Sequence, residues 1–314
     1  MNLMIDTQLA WLIAAVIAIL VIASISGYLI SRNTSDDNKR AVVNNLNDRI
    51  RSWWVMCVIF FAAIVSGNTG AVILFALLSF LALREFITLT PTHRGDHRTL
   101  FWLFFIITPL HYYLVSIQWY GLFSIMIPVY AFLFIPLRSA LAGDTDSFLE
   151  RTAKIQWGLM VCVYCVSHAP ALLMLEIPGY QGNFKLLFFL VLTTQFSDVM
   201  QYVFGKTLGR RKIAPRVSPN KTWEGFIGGI TVSSLAGAAL WWATPFTPLQ
   251  AGLMALTINL MGFSGGLCMS AIKRDRGIKD FGTLIEGHGG IMDRIDSISF
   301  AAPIFFHITR FYFT

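Results

Sequence analysis

The sequence predicts an all-α polytopic integral membrane protein with about ten transmembrane helices, and three observations predict it. Of its 314 residues 55% are hydrophobic and 13% charged, and the mean hydropathy is +0.63, which sets it apart from soluble globular chains. Ten apolar runs can be marked, most of them long enough for a hydrocarbon core of roughly 30 Å. The basic residues, all but Lys185 and Arg310, fall in alternate connections between those runs. By the positive-inside rule these connections face the cytoplasm and both termini lie outside.

The first run, 9–30, follows Asp6 with no Lys or Arg ahead of it. A cleaved leader needs a basic start and a shorter apolar core, so a retained span is expected. The polar stretch Asn33–Asn47 reads as a mobile linker. Run 53–65 is short for a bilayer and is expected to tilt, or to pair with run 70–89 as a hairpin turning at Ser66-Gly67-Asn68. Runs 100–117, 119–137 and 155–175 carry Pro109, Pro128, Pro136 and Pro170, which mark kinks whose freed backbone groups neighbouring helices satisfy. His93 and His97 lie in loop-like sequence and read as surface histidines. Cys162 and Cys165, with His168 one turn on, have a metal-like spacing. With only four cysteines, all in apolar runs, buried packing is expected and no disulfide framework is implied. Residues 1–183 thus read as an N-terminal part of about six helices without a chemical constellation.

Residues 184–314 differ in character. Run 184–204 places Asp198 inside an apolar helix, about 9 Å below its cytoplasmic end at ~1.5 Å per residue. A charge there costs roughly 2.5–3.5 kcal/mol on insertion scales, so Asp198 is expected to face a polar cavity. In the following connection, Gly205-Lys206-Thr207 is no P-loop, because neither the preceding glycine nor a preceding strand is present. Ser218, Asn220, Lys221 and Thr222 offer hydroxyls, an amide and a cation just ahead of a helix, a good cradle for an anion. The pairs Gly225-x3-Gly229 and Gly262-x3-Gly266, in runs 225–243 and 249–272, are expected to bring those two helices close to each other.

Before the last run, 297–313, comes a polar island, Ser270–Ser297. It holds Lys273, Arg274, Arg276, Lys279 and Arg294, with Asp275, Asp280, Glu286, Asp293 and Asp296 among them, and His288 between glycines. On residue types alone it is either a solvated loop that sets topology or a divalent-metal and phosphate site. The net charge of +7 is accounted for by the topogenic connections and does not imply nucleic acid, although the basic face will attract anionic headgroups.

The order S-x-I-K-R-x4-K-D-x-G-x2-I-x2-H-G-G-I-x-D-R-I-D over 270–296 resembles the signature of the phosphatidate cytidylyltransferases, and Ser218–Gly225 looks like a second block of that family. The chain departs from the family pattern at Glu286, where Pro, Gly or Ser is usual. The resemblance covers the chain from about Phe196 onward and is topological before it. It implies cytidylyl transfer from CTP to phosphatidate at the cytoplasmic face of a membrane, the bacterial inner membrane, in phospholipid synthesis. It further implies Mg²⁺, as one or two ions, on Asp198, Asp280, Asp293 and Asp296, with Asp280, His288, Asp293 and Arg294 catalytic. Substrate phosphates would be held by Lys206, Ser218, Asn220, Lys221, Thr222, Lys273, Arg274 and Lys279. Membrane lipid is the implied partner, no nucleic acid is, and a homodimer is compatible. A CTP-dependent polyprenol or dolichol kinase would use similar parts but transfer the γ-phosphoryl group. A lipid or anion transporter would place its polar site nearer the midplane.

Overall fold

The computed structural model describes residues 7–33, 37–285 and 289–314. Among these the chain forms helices α1 (Thr7–Asn33), α2 (Asp37–Val65), α3 (Gly67–Thr88), α4 (Arg94–Ser116), α5 (Tyr120–Ala140), α6 (Phe148–Met174) and α7 (Asn183–Thr207). A short antiparallel hairpin follows, β1 (Lys212–Ala214) and β2 (Ser218–Thr222), then α8 (Trp223–Ala239), α9 (Pro248–Asp275) and α10 (Met292–Phe313). Seven of the helices, α1, α3, α4, α5, α6, α7 and α9, are long and apolar enough to cross a membrane. The other three fall short for visible reasons: α8 has 17 residues, and α2 and α10 begin in charged sequence. The protein is therefore all-α and polytopic, and among the described residues its strands are confined to this short hairpin.

The expected linker is helix instead. From Asp37 the polar stretch belongs to α2, which carries its apolar half 53–65 up to a tight turn at Ser66 and Gly67 before α3. The positive φ of Gly67, 78°, is what lets the chain reverse there. Three prolines act through the helix wall. The backbone widens to π-turns at Leu103–Ile107, Met126–Ala131 and Met160–Cys165, just ahead of Pro109, around Pro128 and ahead of Pro170. A proline ring clashes with the carbonyl four residues earlier, and a widened turn relieves that contact.

The core sits in α6, of whose span 72% is buried, whereas only 17% of α1 is. One apolar cluster runs from α3 through α6 to α10, so the two halves of the chain share it. His93 and His97 are exposed as expected, and the buried member of that loop is Asp96. Arg151, 4% exposed, reaches Asp96 at 3.2 Å and Asp144 at 3.1 Å, pinning the start of α4 to the start of α6. The guanidinium beside Asp144 holds that carboxyl below the usual carboxylate range.

The glycine pairs work differently from the expectation. A Cβ on Gly225 or Gly229 would lie 2.8 Å or 2.6 Å from Gln201 backbone atoms, so this pair seats α8 against α7. Gly262 and Gly265 instead face α10, where a Cβ on Gly265 would meet the Asp296 carbonyl at 2.4 Å. The helices α8 and α9 meet elsewhere, at Gly237 and Ala255. The end of α3, the start of α6, the hairpin, the end of α9 and the start of α10 thereby gather at one face of the bundle. Tyr180, Ala243 and Arg310 lie at the other. A cysteine replacing Ser218 and one replacing Thr247 are therefore expected to react with an impermeant thiol reagent from opposite sides of the membrane. Labelling of both from one side would overturn this arrangement.

Candidate active site

The hairpin is fixed from both ends. Thr222 caps α8, its Oγ1 accepting from the Gly225 amide at 3.1 Å. Glu224 reaches back and accepts from the Arg210 amide at 2.9 Å and the Arg211 amide at 3.2 Å. Sequence between α7 and α8 is in this way folded over the end of the bundle, and it closes one wall of a cavity of about 330 Å³. The other walls are α7, the start of α8, α9 and the first two turns of α10.

Asp198 on α7 and Asp296 on α10 meet inside this cavity. Ser297 Oγ lies 3.0 Å from Asp198 Oδ2 and 3.4 Å from Asp296 Oδ1, so one hydroxyl stands between two carboxylates. A hydroxyl has a single proton and cannot donate fully to both. Facing them are two cations in no ion pair among the described residues. Lys221 Nζ stands 4.4 Å from the centroid of the Phe263 ring, and burial pulls its ammonium below the ordinary lysine range while Asp198 and Asp296 oppose that. It reaches this depth because position 266 is glycine, where a Cβ would be 3.0 Å from Nζ. Arg294 lines the same cavity, and its Nε is buried without a hydrogen-bond partner among the described residues. Like-charged carboxylates beside two cations in no ion pair among the described residues, in a cavity of this size, suit a bound divalent ion and phosphate oxygens.

Asp293 lines the same cavity but has partners of its own. Its Oδ1 takes the Lys273 ammonium at 2.8 Å, and its Oδ2 accepts from the amides of Phe281 at 2.8 Å and Gly290 at 3.0 Å. One buried carboxylate thus ties the end of α9, the polar island and the start of α10 together. Arg274 adds a tie to the hairpin, donating to the carbonyls of Val217 at 3.3 Å and Ile278 at 3.2 Å.

Of the residues picked out from sequence, the cavity brings together Asp198, Ser218, Asn220, Lys221, Thr222, Asp293, Arg294 and Asp296. It does not include Lys206, which is exposed with Nζ 5.8 Å from the Tyr202 ring centroid. Nor does it include Lys273, Arg274 or the exposed Lys279 and Asp280, the last of which lies beside Gly289. His288 and Glu286 lie outside the described residues. Among the described residues no group of three or more His, Cys, Asp or Glu side chains is close enough to hold a metal; Asp198 and Asp296 meet as a pair at the Ser297 hydroxyl.

Sequence reasoning missed Ser297 and Glu224, whose hydrogen bonds are tertiary, and it missed Glu85. Both Glu85 oxygens accept amides at the start of α10, from Ile291 at 3.0 Å and Met292 at 2.9 Å. The argument that singled out Asp198, a carboxylate inside an apolar helix, applies equally to Glu85.

Residues 47–312 match a family model described as the cytidylyltransferase family. An Escherichia coli (strain K12) protein named uncharacterized protein YnbB is 43% identical over 265 residues, covering 84% of this chain and 87% of that one. A Staphylococcus aureus phosphatidate cytidylyltransferase is 29% identical over 259 residues, 80% of this chain and 94% of that one. A Mycobacterium leprae phosphatidate cytidylyltransferase is 39% identical over 166 residues, about half of each chain at 51%.

Proposed function

Because the chain belongs to the cytidylyltransferase family and is a nucleotidyltransferase, we propose that it converts CTP and phosphatidate to CDP-diacylglycerol and pyrophosphate. The observation that carries this reading is the juxtaposition of Asp198 and Asp296 across one hydroxyl, opposite Lys221 and Arg294, which form no ion pair among the described residues. A phosphatidate oxygen bonds to the α-phosphorus of CTP, the bond from that phosphorus to the β-bridging oxygen breaks, and pyrophosphate leaves. The lipid phosphate is already ionised, so no base is required. What the reaction demands is alignment and neutralisation of negative charge.

The chain's own groups divide that work. Lys221 and Arg294 hold phosphate oxygens, Arg294 with the geometry for two at once. Ser218 and Asn220, on the hairpin strand, supply neutral polar contacts at the cavity mouth. Asp198 and Asp296 are the residues that would hold Mg²⁺, an ion commonly bound by one or two carboxylates with water and phosphate completing its shell. Bound there, it supplies positive charge to the reacting phosphates. A second, more apolar groove of about 470 Å³, lined by Phe86, Leu89, Trp157, Ile272 and Phe281, runs beside the polar island and suits an acyl chain of the lipid. The cavity lies at the face where the basic connections gather, which by the positive-inside rule is cytoplasmic, the side that holds CTP. In a bacterial cell this is the inner membrane.

The test is label transfer. Purified protein given phosphatidate, Mg²⁺ and CTP labelled at the α-phosphorus is expected to yield labelled lipid, and γ-labelled CTP is expected to yield none. Lipid labelled from the γ-position would replace this reading with kinase chemistry.

A further inference from the structure

We propose that Glu85, in the N-terminal half of the chain, is a positioning residue that sets the pose of α10 in the cavity; this rests on the cytidylyl-transfer reading. The first amides of an α-helix have no partner within the helix. At α10 a side chain of α3 takes two of them: Glu85 Oε1 accepts from Ile291 and Oε2 from Met292, at 3.0 Å and 2.9 Å. A carboxylate in this place also complements the positive end of the helix dipole.

Two glycines supply an independent observation. A Cβ on Gly290 would lie 2.4 Å from Glu85 Oε2, and one on Gly282 would lie 2.7 Å from Oε1. Neither glycine has a positive φ, unlike Gly277 and Gly289. Their missing side chains therefore serve space and not backbone conformation, and the space is filled by this one carboxylate. The polar island is folded around Glu85.

The consequence for chemistry follows from what the first turns of α10 carry. Asp293, Arg294 and Asp296 all lie within five residues of the clamped amides. A rotation or slide of α10 moves Arg294 and Asp296 relative to Lys221 and Asp198, which are fixed by other elements. Misplacement of about 1 Å at a reacting centre can cost on the order of a hundredfold in rate. The clamp also occupies the amides that an anion would otherwise use, so substrate phosphates are left to the cationic side chains.

Four forms of the whole protein in detergent test this: wild type, Glu85→Ala, Gly290→Ala and the double variant, with Glu85→Gln as the milder change. Glu85→Ala is expected to lower kcat about a hundredfold and to move KM for CTP less than about threefold, since Ser218, Asn220 and Lys221 belong to the hairpin. Gly290→Ala is expected to lose about as much in the wild-type background and less than about threefold in the Glu85→Ala background, where the space is vacant. Glu85→Gln, which keeps one acceptor oxygen, is expected to fall between. Hydrogen exchange of the Ile291 and Met292 amides is expected to quicken in Glu85→Ala. Multiplying losses in the double variant, or unchanged exchange of those amides, would overturn the clamp. A wild-type protein inactive in label transfer would defeat the functional reading instead, and the exchange result would still decide the clamp.

Discussion

Asp198→Asn and Asp296→Asn are each expected to lower cytidylyl transfer by about a thousandfold, while the melting temperature of the metal-free protein is expected to stay level or rise. The rate loss follows from charge stabilisation of several kcal/mol at a metal-assisted phosphoryl centre, at about 1.36 kcal/mol per decade. The stability gain follows from the packing. Two carboxylates share one Ser297 hydroxyl, at 3.0 Å and 3.4 Å, and their mutual repulsion is relieved when one becomes an amide. On the proposed site, Mg²⁺ is expected to stabilise the wild type by about 2.7 kcal/mol at a hundred times its dissociation constant. That increment disappears in either variant. The measurements are turnover against Mg²⁺ concentration and thermal melting with and without chelator. An unchanged Mg²⁺ midpoint in Asp198→Asn would show the pair to be structural. Sites that hold like charges together trade stability for function in this way.

Asp293→Ala acts on the fold. It leaves the Lys273 ammonium, whose side chain is 14% exposed, without its carboxylate, and it strands the Phe281 and Gly290 amides. Breaking a buried pair by removing one partner costs about 3–5 kcal/mol. An apparent melting temperature lower by about 10 °C is expected for a chain of this size. The double variant Asp293→Ala with Lys273→Met should recover part of the loss, because the uncompensated charge is then gone. A melting temperature within a degree or two of wild type in Asp293→Ala would show that the triple contact is not held in the membrane. On sequence alone Asp293 stands beside Asp296 as a metal ligand, three residues on along one helix face. Folded, both carboxylates line the cavity but are tied differently: Asp293 holds Lys273 and two amides of the polar island, and Asp296 shares the Ser297 hydroxyl with Asp198.

How much was legible in advance depended on how local the cause was. Each apolar run became helix because length and hydropathy act on a segment by itself; five of the ten lie wholly within their helices, and the others overrun α3, α4, α5 and α6 by one residue and α8 by four. The gathering of the basic connections at one face was equally readable, since charge placement is a property of order along the chain. Asp198 could be identified as a cavity residue because a lone carboxylate in an apolar helix demands compensation wherever the helix goes. Eight of the site residues implied by the family signature line one cavity.

Which carboxylates meet was decided only by the tertiary structure. Asp198 and Ser297 are 99 residues apart, and their contact needs α9 and α10 to close on each other at Gly265. Such a distance depends on side-chain volumes at positions that carry no chemistry of their own. The glycine pairs show the same limit: small residues announce a close approach but not the partner, and here α8 chose α7 while α9 took α10. Glu85 lies 206 residues from the amide of Ile291, so nothing in its local sequence names its target. A carboxylate is worth what it faces. The sequence by itself determined which residues had to find partners, because the cost of burying charge belongs to the residue. Only the packed bundle decided who those partners are, because compensation belongs to the pair.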